Sequence, residues 1–319
     1  RGVFRAVDDV TLSLYPGRTL CVVGESGSGK SVTARSILQI VDPPGRVASG
    51  QVLLHRHLTA RGRGAENTVD LVSLDPRSSA IRAIRGRDVA MIFQEPMSSL
   101  SPVHRIGDQV GEVIRLHEHV SKKEARARTI ELLRKVEIPR PEVAIDRYPF
   151  EYSGGMRQRA VIAMALACNP AVLIADEPTT ALDVTIQAEI LALIRQLQRD
   201  SDMAVMFITH DMGVVAEIAD DIAVMRFGKM VERGDVFSIF EKPQHDYTRH
   251  LLNAVRELDR PSERRLAMRA KASPGAPILV MSDMRKEFPF STGFLGLKHD
   301  SIVAVEDASL ALKAGENLG

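Results

Sequence analysis

The chain holds 319 residues, 45% hydrophobic and 26% charged, the balance of a globular protein with room for one large domain or two modest ones. Lys+Arg number 42 against 41 Asp+Glu, so no net field draws the chain to nucleic acid or to an anionic membrane surface. Cys21 and Cys168 lie far apart inside apolar stretches, which argues against a disulfide framework or a cysteine metal cluster and fits a reducing compartment; the longest apolar run, 160–168, is about half the ~20 residues a membrane-spanning helix needs.

Residues 3–14 and 51–54 alternate or cluster apolar side chains as strands do, with Pro and Gly turns around them. Short apolar runs recur at 20–23, 89–93, 171–175, 204–208 and 222–225, with helical patterns between most of them. That alternation predicts an α/β fold on a mostly parallel core sheet. From about residue 98 to 166 the pattern turns helical, with Ile130, Leu133 and Val136 at helical spacing, and this block reads as an insertion. Residues 258–277 are charged and carry Pro261, Pro274 and Pro277, the composition of a linker. Beyond it the chain repeats itself. Ala304-Val305-Glu306-Asp307 and the residues up to Gly315 align without a gap on Ala6-Val7-Asp8-Asp9 and the residues up to Gly17, at an offset of 305 − 7 = 298. The expected organisation is a first domain over 1–257, a linker over 258–277 and the truncated start of a second, similar domain over 278–319.

Gly24-Glu25-Ser26-Gly27-Ser28-Gly29-Lys30-Ser31 has the form G-x-x-x-x-G-K-[ST], placed after the apolar run 20–23 and before the helical pattern 32–40. Its glycines let backbone N–H groups turn inward around phosphates, and the helix N-terminus adds its positive dipole end. Lys30 would reach the β- and γ-phosphates and the Ser31 hydroxyl would bind Mg²⁺. The run 171–175 ends in Asp176 and Glu177, carboxylates at the carboxyl end of a core strand, where ligands bind in such sheets. Asp176 would hold Mg²⁺ directly or through a water, and Glu177 would accept a proton from an attacking water. An acid pair after a strand is in isolation an ordinary strand end; beside the phosphate loop it gains a role. Tyr152-Ser153-Gly154-Gly155-Met156 stands at a helix start and can present backbone N–H groups to an anion. His210 follows the run 204–208, which aims it at the same rim as Asp176. The pairs His55/His57 and His117/His119 have no Cys or acid cluster beside them and suggest no metal site.

These motifs, in this order over residues 1 to about 257, resemble the ABC ATPase family. The resemblance implies a P-loop NTPase core with a mostly parallel sheet, an N-terminal antiparallel β subdomain and a helical subdomain at about 98–166. It implies ATP hydrolysis with ATP and Mg²⁺ as ligands, and it assigns Gly24, Glu25, Ser26, Gly27, Ser28, Gly29, Lys30, Ser31 and Val32 to the nucleotide. Ser31, Gln94 and Asp176 fall to Mg²⁺, with Gln94 as the Q-loop sensor. Glu177 falls to the water, with Lys30 and His210 at the γ-phosphate. Two such domains face each other head to tail in that family, and Ser153, Gly154 and Gly155 would touch the ATP of the opposing domain; in the D-loop Ala181-Leu182-Asp183, Asp183 is assigned to the nucleotide. The aromatic that stacks on adenine is left open: Phe4 lies too close to the Ala6-Val7 stretch, while Phe288 and Phe290 stand upstream of it in the second copy.

Within the family, Phe93-Gln94-Glu95-Pro96-Met97, Asp183-Val184-Thr185-Ile186-Gln187 and Pro243-Gln244-His245-Asp246-Tyr247-Thr248 resemble the dipeptide, oligopeptide and glutathione importers. Tyr152 and Met156 in the signature fit that branch. The implied partners are a second ABC ATPase domain in the same chain, two transmembrane permease subunits and, indirectly, a periplasmic or extracellular substrate-binding protein, with no nucleic acid. The implied location is peripheral, on the cytoplasmic face of the inner membrane. With no Cys after Cys168, the iron–sulfur cluster of some peptide-branch members is not expected. The competing reading is a soluble tandem ABC ATPase acting on ribosomes, which would need a long charged helical linker where this chain has a short one.

Overall fold

The computed structural model describes residues 4–56, 68–95, 99–180, 182–258, 276–292 and 298–314. Residues 96–98 of the Q-loop stretch, Ala181 of the D-loop, His57, most of the expected linker and Gly315 lie outside the described residues. The chain divides into two compact units, Arg1–Val255 and Arg256–Gly319.

In the first unit, β1 (Thr19–Val23) is buried along its whole length and leads through the glycine-rich loop to α1 (Lys30–Ile37). β2 (Leu53–His55) and β3 (Thr68–Asp70) pair antiparallel as a small separate sheet, and α2 (Ser79–Ile84) leads to β4 (Val89–Ile92). The expected helical block follows as α3 (Ile106–His117), α4 (Lys122–Lys135), α5 (Pro141–Ala144) and α6 (Gly154–Ala165). The chain then returns to the sheet with β5 (Val172–Asp176), α7 (Val184–Ser201), β6 (Ala204–Thr209), α8 (Met212–Ile218) and β7 (Asp221–Arg226). It closes with β8 (Lys229–Asp235), α9 (Val236–Glu241) and α10 (Asp246–Leu258).

The main sheet has the order β4-β5-β6-β1-β7-β8, parallel except for β8 at one edge. Its strands read as continuous apolar runs because both faces are covered. Leu20 and Val22 of β1 join a cluster with Ala34, Leu38, Ile81, Ile174, Met206 and Met225 on one face. Cys21 and Val23 join Ile162, Leu173, Ile190, Phe207 and Val215 on the other. Cys21 is fully buried, and that burial pushes its thiol pKa up, so it is an inert core residue. Ser121, Ser153, Asp183, Asp211 and Asp235 each accept a backbone N–H at the start of the helix that follows, which explains where α4, α6, α7, α8 and α9 begin.

Three local expectations change. α1 starts at Lys30 rather than Val32, because left-handed Gly29 is its N-cap, and it stops at Ile37, with left-handed Gln39 just beyond. β8 was not expected; its alternation is weak because only one side of an edge strand pairs. Residues 4–14 form no strand. In the second unit the equivalent stretch at 302–312 lies in β10 (Lys298–Lys313), which pairs antiparallel with β9 (Pro277–Thr292). The stretch 4–14 pairs with no strand among the described residues. It lies instead along the β7–β8 turn, where the Asp8 N–H donates to the Gly228 carbonyl at 2.8 Å.

Candidate functional site

Four neighbouring parallel strands deliver the predicted residues to one rim of the sheet. The loop 24–31 leaves β1, His210 follows β6, Asp176 and Glu177 end β5, and Gln94 follows β4. In the loop, Gly24 (φ 150°) and Gly29 (φ 98°) hold backbone conformations closed to other residues, and each is pressed against the chain behind it. A Cβ at Gly24 would lie 2.2 Å from the Met225 carbonyl, and one at Gly29 2.7 Å from that of Ala6. Lys30 folds back under the loop, its Nζ donating to the carbonyls of Gly24 (2.7 Å) and Glu25 (2.9 Å). Burial lowers its pKa, opposed by the nearby carboxylates of Glu177, Asp176 and Glu25.

Asp176 is 1% exposed. Its Oδ1 accepts the Ser31 hydroxyl at 3.0 Å, and its Oδ2 is buried without a hydrogen-bond partner. Burial raises its pKa, with the Ser31 hydrogen bond acting against it. A carboxylate held dry, half satisfied and beside a hydroxyl fits a divalent cation that completes its shell with water and phosphate oxygens, as Mg²⁺ does. Ser31 and Asp176 are therefore a pair able to hold Mg²⁺.

Glu177 takes a left-handed backbone (φ 47°), fixed by its N–H donating to the Ile208 carbonyl at 3.0 Å. This conformation, costing about 1–3 kcal/mol for a residue other than glycine, turns its carboxylate into the rim. There Oε1 lies 3.3 Å from His210 Nδ1, and Oε2 accepts from Gln94 Nε2 at 3.4 Å and from the Thr180 hydroxyl at 3.1 Å. A half-buried carboxylate held by three neutral or exchangeable donors, next to a phosphate loop, can orient a water and take its proton. Lys30, Ser31, Gln94, Asp176, Glu177 and His210 thus come together as expected.

Ser153, Gly154, Gly155 and Asp183 do not join them. Ser153 and Asp183 are helix caps, accepting from the N–H groups of Met156 (3.3 Å) and Ile186 (2.9 Å), and Gly155 faces the Ile186 side chain. No hydrogen bond or ion pair among the described residues ties these four to the loop 24–31, Asp176, Glu177 or His210. Around Gly154, which is exposed, a Cβ would meet nothing within 4 Å, so the start of α6 is open to the outside. Just before it, Tyr152 is buried and its hydroxyl donates to the Ala144 carbonyl at 2.9 Å. Burial raises its pKa to about 12, with Arg147 opposing, so the phenol stays protonated.

Two contacts were missed in the sequence. Thr180 supports Glu177 from three residues on, a spacing that could have suggested it. Tyr247 reaches the phosphate loop across 222 residues, its Oη accepting from the Glu25 N–H at 3.0 Å, and no local pattern announces that contact.

The chain matches the family described as ABC transporter over residues 7–180. It is 47% identical over 332 aligned residues to the glutathione import ATP-binding protein GsiA of Escherichia coli O157:H7, covering 98% of this chain and 52% of that protein. The chain thus spans about half the length of the curated relatives it matches. Among solved structures, the dimeric bacterial ABC transporter cassette MJ0796 aligns with a TM-score of 0.60 and 27% identity, over 72% of this chain and 90% of that one. A dimeric post-hydrolysis state of the same cassette, bound to ADP and Pi, aligns with a TM-score of 0.59, 26% identity and the same coverage.

Proposed function

The chain belongs to the ABC transporter family, and on that premise we propose that it is an ATP-hydrolysing motor of an importer that carries peptides of the glutathione type. The observation that carries the catalytic part is the Glu177 carboxylate, turned by a left-handed backbone toward the phosphate loop and held by Gln94, Thr180 and His210.

The loop N–H groups of 24–32, apart from that of Glu25, which Tyr247 holds, receive the triphosphate, and Lys30 exchanges its contacts with the Gly24 and Glu25 carbonyls for β- and γ-phosphate oxygens. Ser31 and Asp176, with Gln94, would hold Mg²⁺, which would supply positive charge to offset that of the phosphates. Glu177 orients water in line with the γ-phosphate and takes its proton, and His210 lies on its other oxygen, placed to sense the γ-phosphate. Ser153, Gly154, Gly155 and Asp183 act on the nucleotide of an opposing domain, a reading supported by the absence, among the described residues, of any hydrogen bond from them to the loop and by the open space at Gly154. Residues 278–319 are the start of a second ATPase domain; the 298-residue repeat and relatives about twice as long support this. The described helices hold no span long and apolar enough to cross a membrane; the likeness to an import ATP-binding protein supports the reading that permease subunits carry the force to the cargo.

The test is turnover in the full-length protein. Glu177→Gln should lower ATP hydrolysis by roughly 10²–10⁴-fold while MgATP still binds, and Lys30→Ala should lose binding. Wild-type turnover in Glu177→Gln would remove the base assignment. Purification from membranes should bring two multi-span proteins, with turnover rising when a peptide-loaded binding protein is added; purification with ribosomes alone would end the transport reading.

A further inference from the structure

The phosphate loop is gripped from outside at two points. At one, the Gly228 N–H in the β7–β8 turn donates to the Ser28 carbonyl at 3.0 Å. At the other, the Tyr247 hydroxyl of α10 accepts from the Glu25 N–H. Arg226 joins the two supports, its guanidinium lying 4.6 Å from the Tyr247 ring centroid and 5.0 Å from that of Phe227. Tyr247 is 4% exposed, and the segment leading to it is held on β8, where the Glu232 carboxylate accepts from the N–H groups of Gln244 (2.7 Å) and His245 (3.1 Å). The Tyr247 N–H in turn donates to His245 Nδ1 at 3.1 Å.

A phosphate loop binds by holding successive N–H groups in a fixed fan before the anion arrives. Glu25 is the first residue after Gly24, where the strand breaks into that fan, so an oxygen that fixes its N–H fixes the direction in which the loop departs. We propose that Tyr247 is a positioning residue for nucleotide binding, and that through it the start of α10 is thermodynamically linked to the phosphate loop. The proposal rests on the nucleotide reading given above. Linkage is reciprocal: nucleotide that orders the loop also secures the tail, and displacement of the tail weakens nucleotide.

Tyr247→Phe deletes the oxygen and leaves the ring under Arg226. In the full-length protein its MgATP dissociation constant, read with a fluorescent ATP analogue, should rise about fivefold to tenfold, the worth of one hydrogen bond. KM should rise with it, while kcat at saturation stays within about twofold. Hydrogen exchange at 244–252 should slow on MgATP addition in the wild type and not in Tyr247→Phe. Arg226→Met, which keeps the oxygen and loosens the ring, should weaken binding about twofold to threefold and serves if Tyr247→Phe does not fold. Wild-type affinity in the folded variant, or a fall in kcat with KM unchanged, would overturn the role of Tyr247. A wild-type chain that does not bind MgATP would instead overturn the nucleotide reading itself.

Discussion

Asp176 is costly to the fold that carries it. Its carboxylate is buried, one oxygen lacks a hydrogen bond, and its pKa is raised, so the ionised form destabilises the protein without its cation. The sign follows from linkage. Below the ordinary value of 3.8 both folded and unfolded chains are protonated and no cost arises. As pH rises, the unfolded chain ionises first and stability falls until the raised folded value is passed; above that the loss is constant. Asp176→Asn should therefore raise Tm in the nucleotide-free protein at neutral pH, by about 2–4 °C for each kcal/mol relieved. The gain should vanish near pH 3.5, and Mg²⁺ should cease to strengthen ATP binding. Calorimetry across pH in EDTA checks the first part and titration with and without Mg²⁺ the second. Thr180 matters differently, because its hydroxyl donates to the Glu177 carboxylate at 3.1 Å. Thr180→Val should lower kcat by about threefold to tenfold, the loss of one neutral hydrogen bond to a charged group, with KM nearly unchanged.

Helix starts carry the caps that stabilise this molecule and, on the proposed reading, the residues that meet an opposing nucleotide. The Asp183 carboxylate caps α7, so Asp183→Ala should cost about 1 kcal/mol, measurable by urea unfolding, whatever the residue does across an interface. Gly154 separates the two effects more cleanly. An added side chain meets open space at the start of α6, and an aspartate there faces the positive end of the helix. Gly154→Asp should leave Tm unchanged or slightly higher and leave MgATP binding to the single domain intact, while turnover falls at least 100-fold as the new carboxylate repels the opposing nucleotide. In the core, Phe207 of β6 is fully buried between neighbouring strands and helices, and Phe207→Ala should cost about 3–5 kcal/mol. Because β6 also carries His210 and holds the Glu177 N–H at Ile208, that loss should reach turnover at temperatures below the melting transition.

At the scale of the molecule, the expected assembly is head to tail. With hydrolysis blocked by Glu177→Gln, MgATP should shift sedimentation toward paired ATPase domains, and adding Gly154→Asp should abolish the shift. The parts of this protein readable from sequence were those where chemistry is local. Gly24 to Ser31 announces itself because close backbone approach demands glycine at set intervals, and 171–177 does so because a strand buried on both faces must be apolar until it meets the ligand rim. The buried strands β1, β4, β5, β6 and β7 were legible for the same reason. Edge strand β8 was not, since its side chains are half-buried or exposed and form no apolar run, and 4–14 misled because apolar alternation permits a strand but does not by itself form one. Tertiary structure alone decided the rest. It set the strand order that puts Gln94, Asp176, Glu177 and His210 beside one another, left Asp176 Oδ2 unsatisfied, and brought Tyr247 to the Glu25 N–H. Those relations depend on which surfaces meet, and the free energy that selects them is spread over the buried core rather than written in any one motif.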